Sequence, residues 1–356
     1  MSTDPGHGKG EVSDVKGSPN YLRLRAQGLF RGNSLGEALE ELRGTGRQES
    51  FAAVPGQCSR VPGAILPGLP RYHDRTPTVS KYLKDKVIVV TGAGSGFGRL
   101  ISEKCAAGGA KVAGLDVNTE TVKSVFDDIA AAGGEGLGLA ADVTDLAQMR
   151  AAARQAVEAY GAIDVLVNNA GVMPLAFFAD HEQAATAWDK AIDINIKGAV
   201  HGIAAVYDQM ISQGRGQVVN IASIYGNAGV AGSGVYSATK AAVTVLSDSL
   251  RSETKGKIKV TTVKPTGVLG TGLMAGIINE SAGFGLTGQR APLFAEHWAA
   301  AASGELPDAL ADSDSIEYWM ITPSELADAV VHVIDQPWGI SISDITVRSS
   351  GEDFVY

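Results

Sequence analysis

From Lys81 onward two kinds of hydrophobic pattern alternate along the chain. Short runs rich in valine, isoleucine and leucine fall near 87–91, 111–115, 136–141, 163–167, 217–222, 258–263 and 343–348. Between them, near 97–108, 119–131, 145–160, 184–212, 235–255 and 323–336, apolar residues recur in helix-like fashion. Short apolar runs read as strands buried in a sheet, and the amphipathic stretches as helices that cover it. This regular succession of strand and helix predicts an α/β domain over 81–356, a doubly wound parallel sheet with helices on both faces. The last helix is also signposted chemically. Thr322-Pro-Ser-Glu325 supplies an N-cap, a proline at the first helical position and a capping-box glutamate.

Residues 1–80 carry no comparable pattern. Pro55-Gly, Pro62-Gly and Pro67-Gly-Leu-Pro70 break the segment repeatedly, and only Ser34–Arg43 has the makings of a short capped helix. A largely disordered extension is expected there, with neither a secretory nor a transit signal.

Composition narrows the function classes. Of 356 residues 45% are apolar, ample for a buried core, and the net charge of −9 argues against a nucleic-acid partner. No apolar run approaches the ~20 residues needed to span a bilayer. Two cysteines, Cys58 and Cys105, make neither a disulfide framework nor a metal-ligand set, which suits a reducing cytoplasm. Cys105, in an alanine-rich helix, reads as core filling. The six histidines are scattered, so no metal site is expected.

The candidate chemistry begins with Tyr236 and Lys240. On a helix, positions i and i+4 share a face, so a phenol and an ammonium can enter one cleft together. A free phenol titrates near pH ~10, and a cation held close would favour its ionised form and make it a better base. Ser223 closes the apolar run Gln217-Val-Val-Asn-Ile-Ala-Ser223, at a strand's carboxyl end, where α/β sheets bind ligands. By itself the tyrosine–lysine spacing also fits a packing aromatic beside a solvated lysine. Its context supplies the discrimination.

Val87-Ile-Val-Val-Thr-Gly-Ala-Gly-Ser-Gly-Phe-Gly98 is a strand entering a glycine-rich turn and then a helix. Such a turn lets backbone approach a pyrophosphate, which the helix N-terminus stabilises. The glycines Gly92, Gly96 and Gly98 are spaced G-x-x-x-G-x-G. About twenty residues further on, Lys111-Val-Ala-Gly-Leu-Asp116 ends in an acid suited to a ribose diol, one that would repel a 2′-phosphate and so favour NAD.

These blocks together resemble the short-chain dehydrogenase/reductase family in its ordinary single-domain form, closely from about Lys81 to Thr271. The resemblance adds Asp142-Val143, which in the family meets the adenine, and Asn168-Asn-Ala-Gly171, which lines the cofactor cleft and steadies the sheet. It implies a seven-stranded sheet of order 3-2-1-4-5-6-7 and association as a homodimer or homotetramer through the two long helices near 184–212 and 235–255. It also implies the catalytic set Asn195, Ser223, Tyr236 and Lys240. Tyr236 would exchange the alcohol proton and Ser223 would orient the substrate oxygen. Lys240 would tune Tyr236 and hold the nicotinamide ribose, and Asn195 would kink its helix around a water in the proton path. Cofactor contacts are implied for Gly92, Ser95, Gly96, Phe97, Gly98, Asp116, Asp142, Val143, Asn169, Ala170, Gly171, Tyr236, Lys240, Pro265, Gly267, Val268 and Thr271, with NAD the cofactor.

One block departs from the pattern. Pro265-Thr-Gly-Val-Leu-Gly-Thr271 has Thr266 at the family's usual glycine position, and Thr271 aligns only with an inserted residue. The carboxamide contact falls to Val268 or Thr271. Beyond it, about 272–320 replaces the family's short lid, and Phe284, Leu293, Phe294, Trp298, Tyr318 and Trp319 suggest an apolar cover. Together with Met173, Phe177, Phe178 and Tyr225 they point to a small hydrophobic secondary alcohol or its ketone as substrate. The same aromatics also fit a domain core. Two other functions stay open, an NADP-dependent 3-ketoacyl-type reductase and a catalytically silent dinucleotide-binding sensor or scaffold.

Overall fold

The structure, a computed structural model, describes residues 81–355. The expected disordered extension over 1–80, its short helix at Ser34–Arg43 and Cys58 lie outside the described residues. Seven strands form one parallel sheet: β1 Val87–Thr91, β2 Lys111–Asp116, β3 Glu135–Ala140, β4 Val165–Asn168, β5 Gly216–Ile221, β6 Ile258–Pro265 and β7 Asp344–Val347. Their order is β3-β2-β1-β4-β5-β6-β7, every neighbouring pair parallel, as the resemblance implied.

The helices are α1 Gly96–Ala107, α2 Thr119–Ala131, α3 Leu146–Tyr160, α4 His181–Ala191, α5 Gly198–Ser212, α6 Gly234–Glu253, α7 Ala291–Ser303, α8 Asp308–Ala311 and α9 Pro323–Ile334. The period-2 geometry of a strand explains how one apolar run serves two cores. Ile88 and Val90 of β1 pack with α1, α2 and α9, through Ile101, Val125 and Leu326 among others. Val89, between them, points to the opposite face, where Met149 of α3, Val206 of α5 and Leu250 of α6 meet it. Central strands β1, β4 and β5 are buried throughout, and the edge strands β3 and β7 are not.

Local chemistry sets the helix ends. Asn118 accepts from Glu120 N and Thr121 N to cap α2, and Asp145 accepts from Ala147 N and Gln148 N to cap α3. Thr322 and Glu325 form the expected capping box of α9, with Pro323 at its first position. At the other end of α9 the buried Lys86 ammonium donates to Ile334 O over 2.8 Å, a cation on orphaned helix carbonyls. Cys105 is fully buried in the core and its thiol is pushed up to about 12 by desolvation, which makes it an inert packing group.

Two expectations need correction. The predicted helix over 184–212 is two helices, α4 and α5, joined by a π-helical turn at Ile192–Lys197. And 272–320 is more than a cover: 3-10 turns lead into α7 and α8, with Trp319 fully buried as part of the domain core. Among the described residues no helix is long and apolar enough to cross a membrane.

Candidate active site

The carboxyl ends of the central strands open onto a single cleft of about 880 Å³. Its first wall is the turn between β1 and α1. Gly92 and Gly96 adopt φ of +67° and +52°, in the left-handed region that glycine enters without strain. A Cβ on Gly98 would stand 2.1 Å from Gly92 O, so the turn closes only around a glycine. A Cβ on Gly96 would meet nothing within 4 Å, because that face is open to the cleft. Ser95 precedes α1 without a side-chain cap, which leaves the first N–H groups of the helix to an anionic ligand.

β4 buttresses this turn. The Thr91 hydroxyl accepts from Asn169 N and Ala170 N at 3.0 and 3.1 Å, and Asn169 Nδ2 donates to Thr91 O at 2.8 Å. Asn168 faces the other way, buried, and its amide donates to Asn220 Oδ1 of β5, whose own amide donates to Ser247 of α6. At the end of β2, Asp116 accepts from Gly94 N and Asn118 N, both at 2.9 Å, and this holds its carboxylate at the cleft rim. Asp142 accepts from the Thr144 amide and hydroxyl, both at 2.8 Å, and Val143 O takes a hydrogen bond from His201 Nδ1. Ser95, Phe97, Asp142, Val143 and Gly171 all line the same cleft.

Opposite lies the titratable cluster. Ser223, just past β5, sits beside Tyr236 and Lys240 of α6, all three buried and all facing the cleft. Burial pushes the Tyr236 phenol up to about 12, and the neighbouring Ser223 hydroxyl draws it back only in part. Burial lowers Lys240 to about 8. Its ammonium donates to Ile221 O at 2.8 Å and lies 5.8 Å from the Tyr236 ring centre. Desolvation dominates both groups, and the lysine's hydrogen bond goes to the strand end.

Asn195 comes from the π-helical turn. Its amide accepts from Val172 N and donates to Val172 O, both at 2.9 Å, and donates to the Thr239 hydroxyl at 3.0 Å. The side chain thus clamps the segment after β4 against α6, and the kink expected at Asn195 is the π turn itself. Gly171 keeps the space between these groups open. A Cβ there would lie 3.3 Å from Asn195 Oδ1 and 3.5 Å from Lys240 Nζ.

The atypical loop after β6 forms the third wall. Pro265, Thr266, Gly267, Val268 and Thr271 all line the cleft. The Thr266 hydroxyl donates to Val347 O of β7 at 3.3 Å, so the residue that replaces a glycine ties the loop to the neighbouring strand. Val268 bridges to Ile321, and Thr271 opens the 3-10 turn Gly272–Gly276.

The remaining end of the cleft is apolar. Met173 and Tyr225 line it, and the Tyr225 ring packs edge-on against Tyr236 with centres 5.4 Å apart. Leu273, Leu286, Phe294 and Trp298 complete it. Phe178 is 71% exposed and rests on Trp188, outside this pocket. The Tyr318 hydroxyl is spent on Glu325. Phe354 lines the pocket as well, and the sequence reading missed it, since one aromatic after the last strand carries no periodic signal. Among the described residues no group of three His, Cys, Asp or Glu side chains is arranged to hold a metal.

Comparison with known proteins agrees with this arrangement. Residues 86–281 match the sequence family described as short chain dehydrogenase. The 2,5-dichloro-2,5-cyclohexadiene-1,4-diol dehydrogenase LinX of Sphingobium indicum is 36% identical over 187 residues, 52% of this chain and 74% of its own. A short chain dehydrogenase/reductase from Burkholderia phymatum, solved in complex with NAD, superposes with a TM-score of 0.58 at 27% identity, covering 75% of this chain and 90% of that one. A metagenomic short-chain oxidoreductase solved with NADP superposes with a TM-score of 0.56, also at 27% identity, covering 75% and 98%.

Proposed function

Since the chain belongs to the short-chain dehydrogenase/reductase family, and is on that ground an oxidoreductase of the dinucleotide-dependent kind, we propose that it interconverts a hydrophobic secondary alcohol and its ketone with NAD(H). The observation that carries this reading is the meeting of Ser223, Tyr236 and Lys240 at the junction between a dinucleotide-shaped wall and an apolar pocket.

The chain's residues fit such a cofactor. The open N-terminus of α1 and the backbone around Gly96 would hold a pyrophosphate, Asp116 the adenosine ribose, Asp142 and Val143 the adenine, and Asn169 to Gly171 with Pro265 to Thr271 the nicotinamide side. When bound, the nicotinamide supplies the hydride acceptor or donor. The protein supplies the rest. Tyr236 Oη takes the proton of the alcohol in oxidation and returns it in reduction, and Ser223 Oγ holds the reacting oxygen beside it. Lys240, positively charged below about pH 8, raises the electrostatic preference for a phenolate and anchors the ribose side of the site. Leu286, Phe294 and Trp298 exclude water from the reacting carbon.

Preference for NAD over NADP rests on Asp116. Its carboxylate is already positioned by Gly94 N and Asn118 N, and a 2′-phosphate would meet it as a like charge. Preference for an apolar, alicyclic carbinol rests on the pocket lining and on LinX, whose name gives it a cyclohexadienediol as substrate. Association as a homo-oligomer belongs to the same proposal. An NAD- and NADP-linked screen over cyclic, terpenoid, steroidal and aryl-alkyl secondary alcohols tests it, with Tyr236→Phe as control. Turnover with NAD that the substitution abolishes, while NADH still binds, is the expected result. NADH binding without turnover on any of these alcohols would replace the enzyme by a dinucleotide sensor.

A further inference from the structure

The segment after β7 does not trail away from the domain. It runs back over the apolar pocket, fastened at nearly every residue. The Ser349 hydroxyl donates to Trp319 O at 2.6 Å, Gly351 N to Tyr318 O at 2.9 Å and Val355 N to Leu286 O at 3.0 Å. Arg290 reaches in from the approach to α7 and donates to Glu352 O at 3.2 Å.

The strongest fastening is Asp353. It is 1% exposed, and an ionised side chain tolerates such burial only when its oxygens are matched. Trp319 Nε1 donates to Oδ2 at 2.8 Å, His297 Nδ1 of α7 lies 3.1 Å from the same oxygen, and an Arg290 nitrogen lies 3.5 Å from Oδ1. All three partners belong to the region between Gly272 and Met320 that covers the pocket. Asp353 therefore joins that cover to the segment after β7.

The neighbouring residue is what this joint positions. Phe354 lines the cleft and touches both apolar clusters around it, the one containing Tyr225 and Tyr236 and the one containing Trp319 and Met320. Its ring lies 5.6 Å from that of Phe294. Its Cε2 would be 2.4 Å from a Cβ on Gly267, so it sits directly on the loop after β6. One side chain thus spans the nicotinamide-side loop, the catalytic wall and the cover.

We propose that Ser349–Val355 is the fixed outer wall of the substrate pocket, that Phe354 sets the size of carbinol it admits, and that Asp353 is the positioning residue that holds Phe354 in place. The proposal rests on the reading of this pocket as the site of an apolar alcohol or ketone. It makes that reading narrower. With the Phe354 ring packed between Gly267 and Phe294, the pocket accepts a single carbocycle and rejects a fused polycyclic skeleton, because a rigid ring system cannot bend around a wedged aromatic.

The test compares wild type, Phe354→Ala, Phe354→Leu and Asp353→Asn on cyclohexanone, 2-decalone and a steroid 3-ketone. Two readouts are taken: kcat/KM with NADH, and equilibrium binding of each ketone with NAD present, followed by tryptophan quenching, which requires no turnover. For Phe354→Ala the ratio of decalone to cyclohexanone, in both readouts, is expected to rise by roughly tenfold or more. Phe354→Leu should fall between that variant and wild type. Asp353→Asn should move the ratio in the same direction by a smaller factor, while the affinity for NADH stays at the wild-type value. A ratio altered less than twofold, or equal loss on all three ketones, overturns the proposal. So does the absence of ketone binding to every variant. Wild-type binding without turnover, with the size shift present, removes the alcohol reading alone and leaves the wall in place.

Discussion

The Ser223 hydroxyl beside Tyr236 opposes the effect of burial on the phenol. Desolvation holds the phenol near 12, and the serine contact is the interaction that lowers it. Removing that contact therefore moves the phenol upward, away from working pH. Ser223→Ala is expected to reduce kcat by about 10²- to 10³-fold, the usual scale for a lost donor to a reacting oxygen. The residual activity carries the diagnostic sign. In a pH profile of alcohol oxidation the rising alkaline limb should shift to higher pH, and a shift to lower pH would mean that Ser223 does not lower the phenol. A second residue decides cofactor choice. Asp116→Ala should weaken NAD and raise the NADP to NAD ratio of kcat/KM by about tenfold or more, since a like-charge clash disappears along with a ribose acceptor. An unaltered ratio would sink the ribose assignment. Asp116, Tyr236 and Lys240 were legible from spacing, because chemistry at a strand end or on one helix face has a fixed register. The state of Lys240 was not, since its burial and its bond to Ile221 O depend on the whole domain closing around it.

At the level of elements, legibility followed the signal each one leaves in sequence. α9 announced itself through its cap. Glu325 Oε2 accepts from Thr322 N at 2.7 Å, Glu325 N returns a bond to the Thr322 hydroxyl, and Leu326 and Val330 then anchor the helix in the core. Thr322→Ala should lower stability by about 1 kcal/mol and the melting temperature by roughly 2–4 °C, read by thermal denaturation. Turnover at low temperature should be unaffected, because α9 lies on the sheet face away from α6 and its tyrosine. The π-helical turn at Ile192–Lys197 left no mark in the hydrophobic pattern, and only the kink that the resemblance implied at Asn195 pointed to it. One extra residue per turn hardly disturbs a hydrophobic period, yet it is what presents Asn195 to Val172 and Thr239. α7 escaped as well. Alanine fills six of the thirteen positions of Ala291–Ser303, and a helix apolar on several faces lacks the polar stripe that periodicity detects. The segment from Ser349 to Val355 had no period at all, and only its partners Trp319, His297 and Leu286 give it meaning.

At the scale of the molecule, the sheet topology followed from the order of apolar runs and the resemblance, whereas association with other copies depends on surface. Val245 on α6 is 64% exposed and Val200 on α5 is 41% exposed, apolar side chains on the two helices through which the family resemblance implies pairing. Val245→Asp should shift the protein to a smaller species in light scattering, and an unaltered mass would move the expected interface elsewhere. The described domain also predicts what a shortened chain does. Both apolar cores close among residues from Leu83 onward, and Asp335 accepts from Lys81 N and Tyr82 N, which fixes the start of the domain to the end of α9. Among the described residues, none that lines the cleft precedes Gly92. A chain lacking residues 1–78 should therefore fold with a melting temperature within a few degrees of the full protein and with the same kcat/KM. Loss of folding would mean that the first eighty residues are needed to complete one of these cores, and loss of activity with folding intact would place part of that segment at the cleft or at the interface between copies.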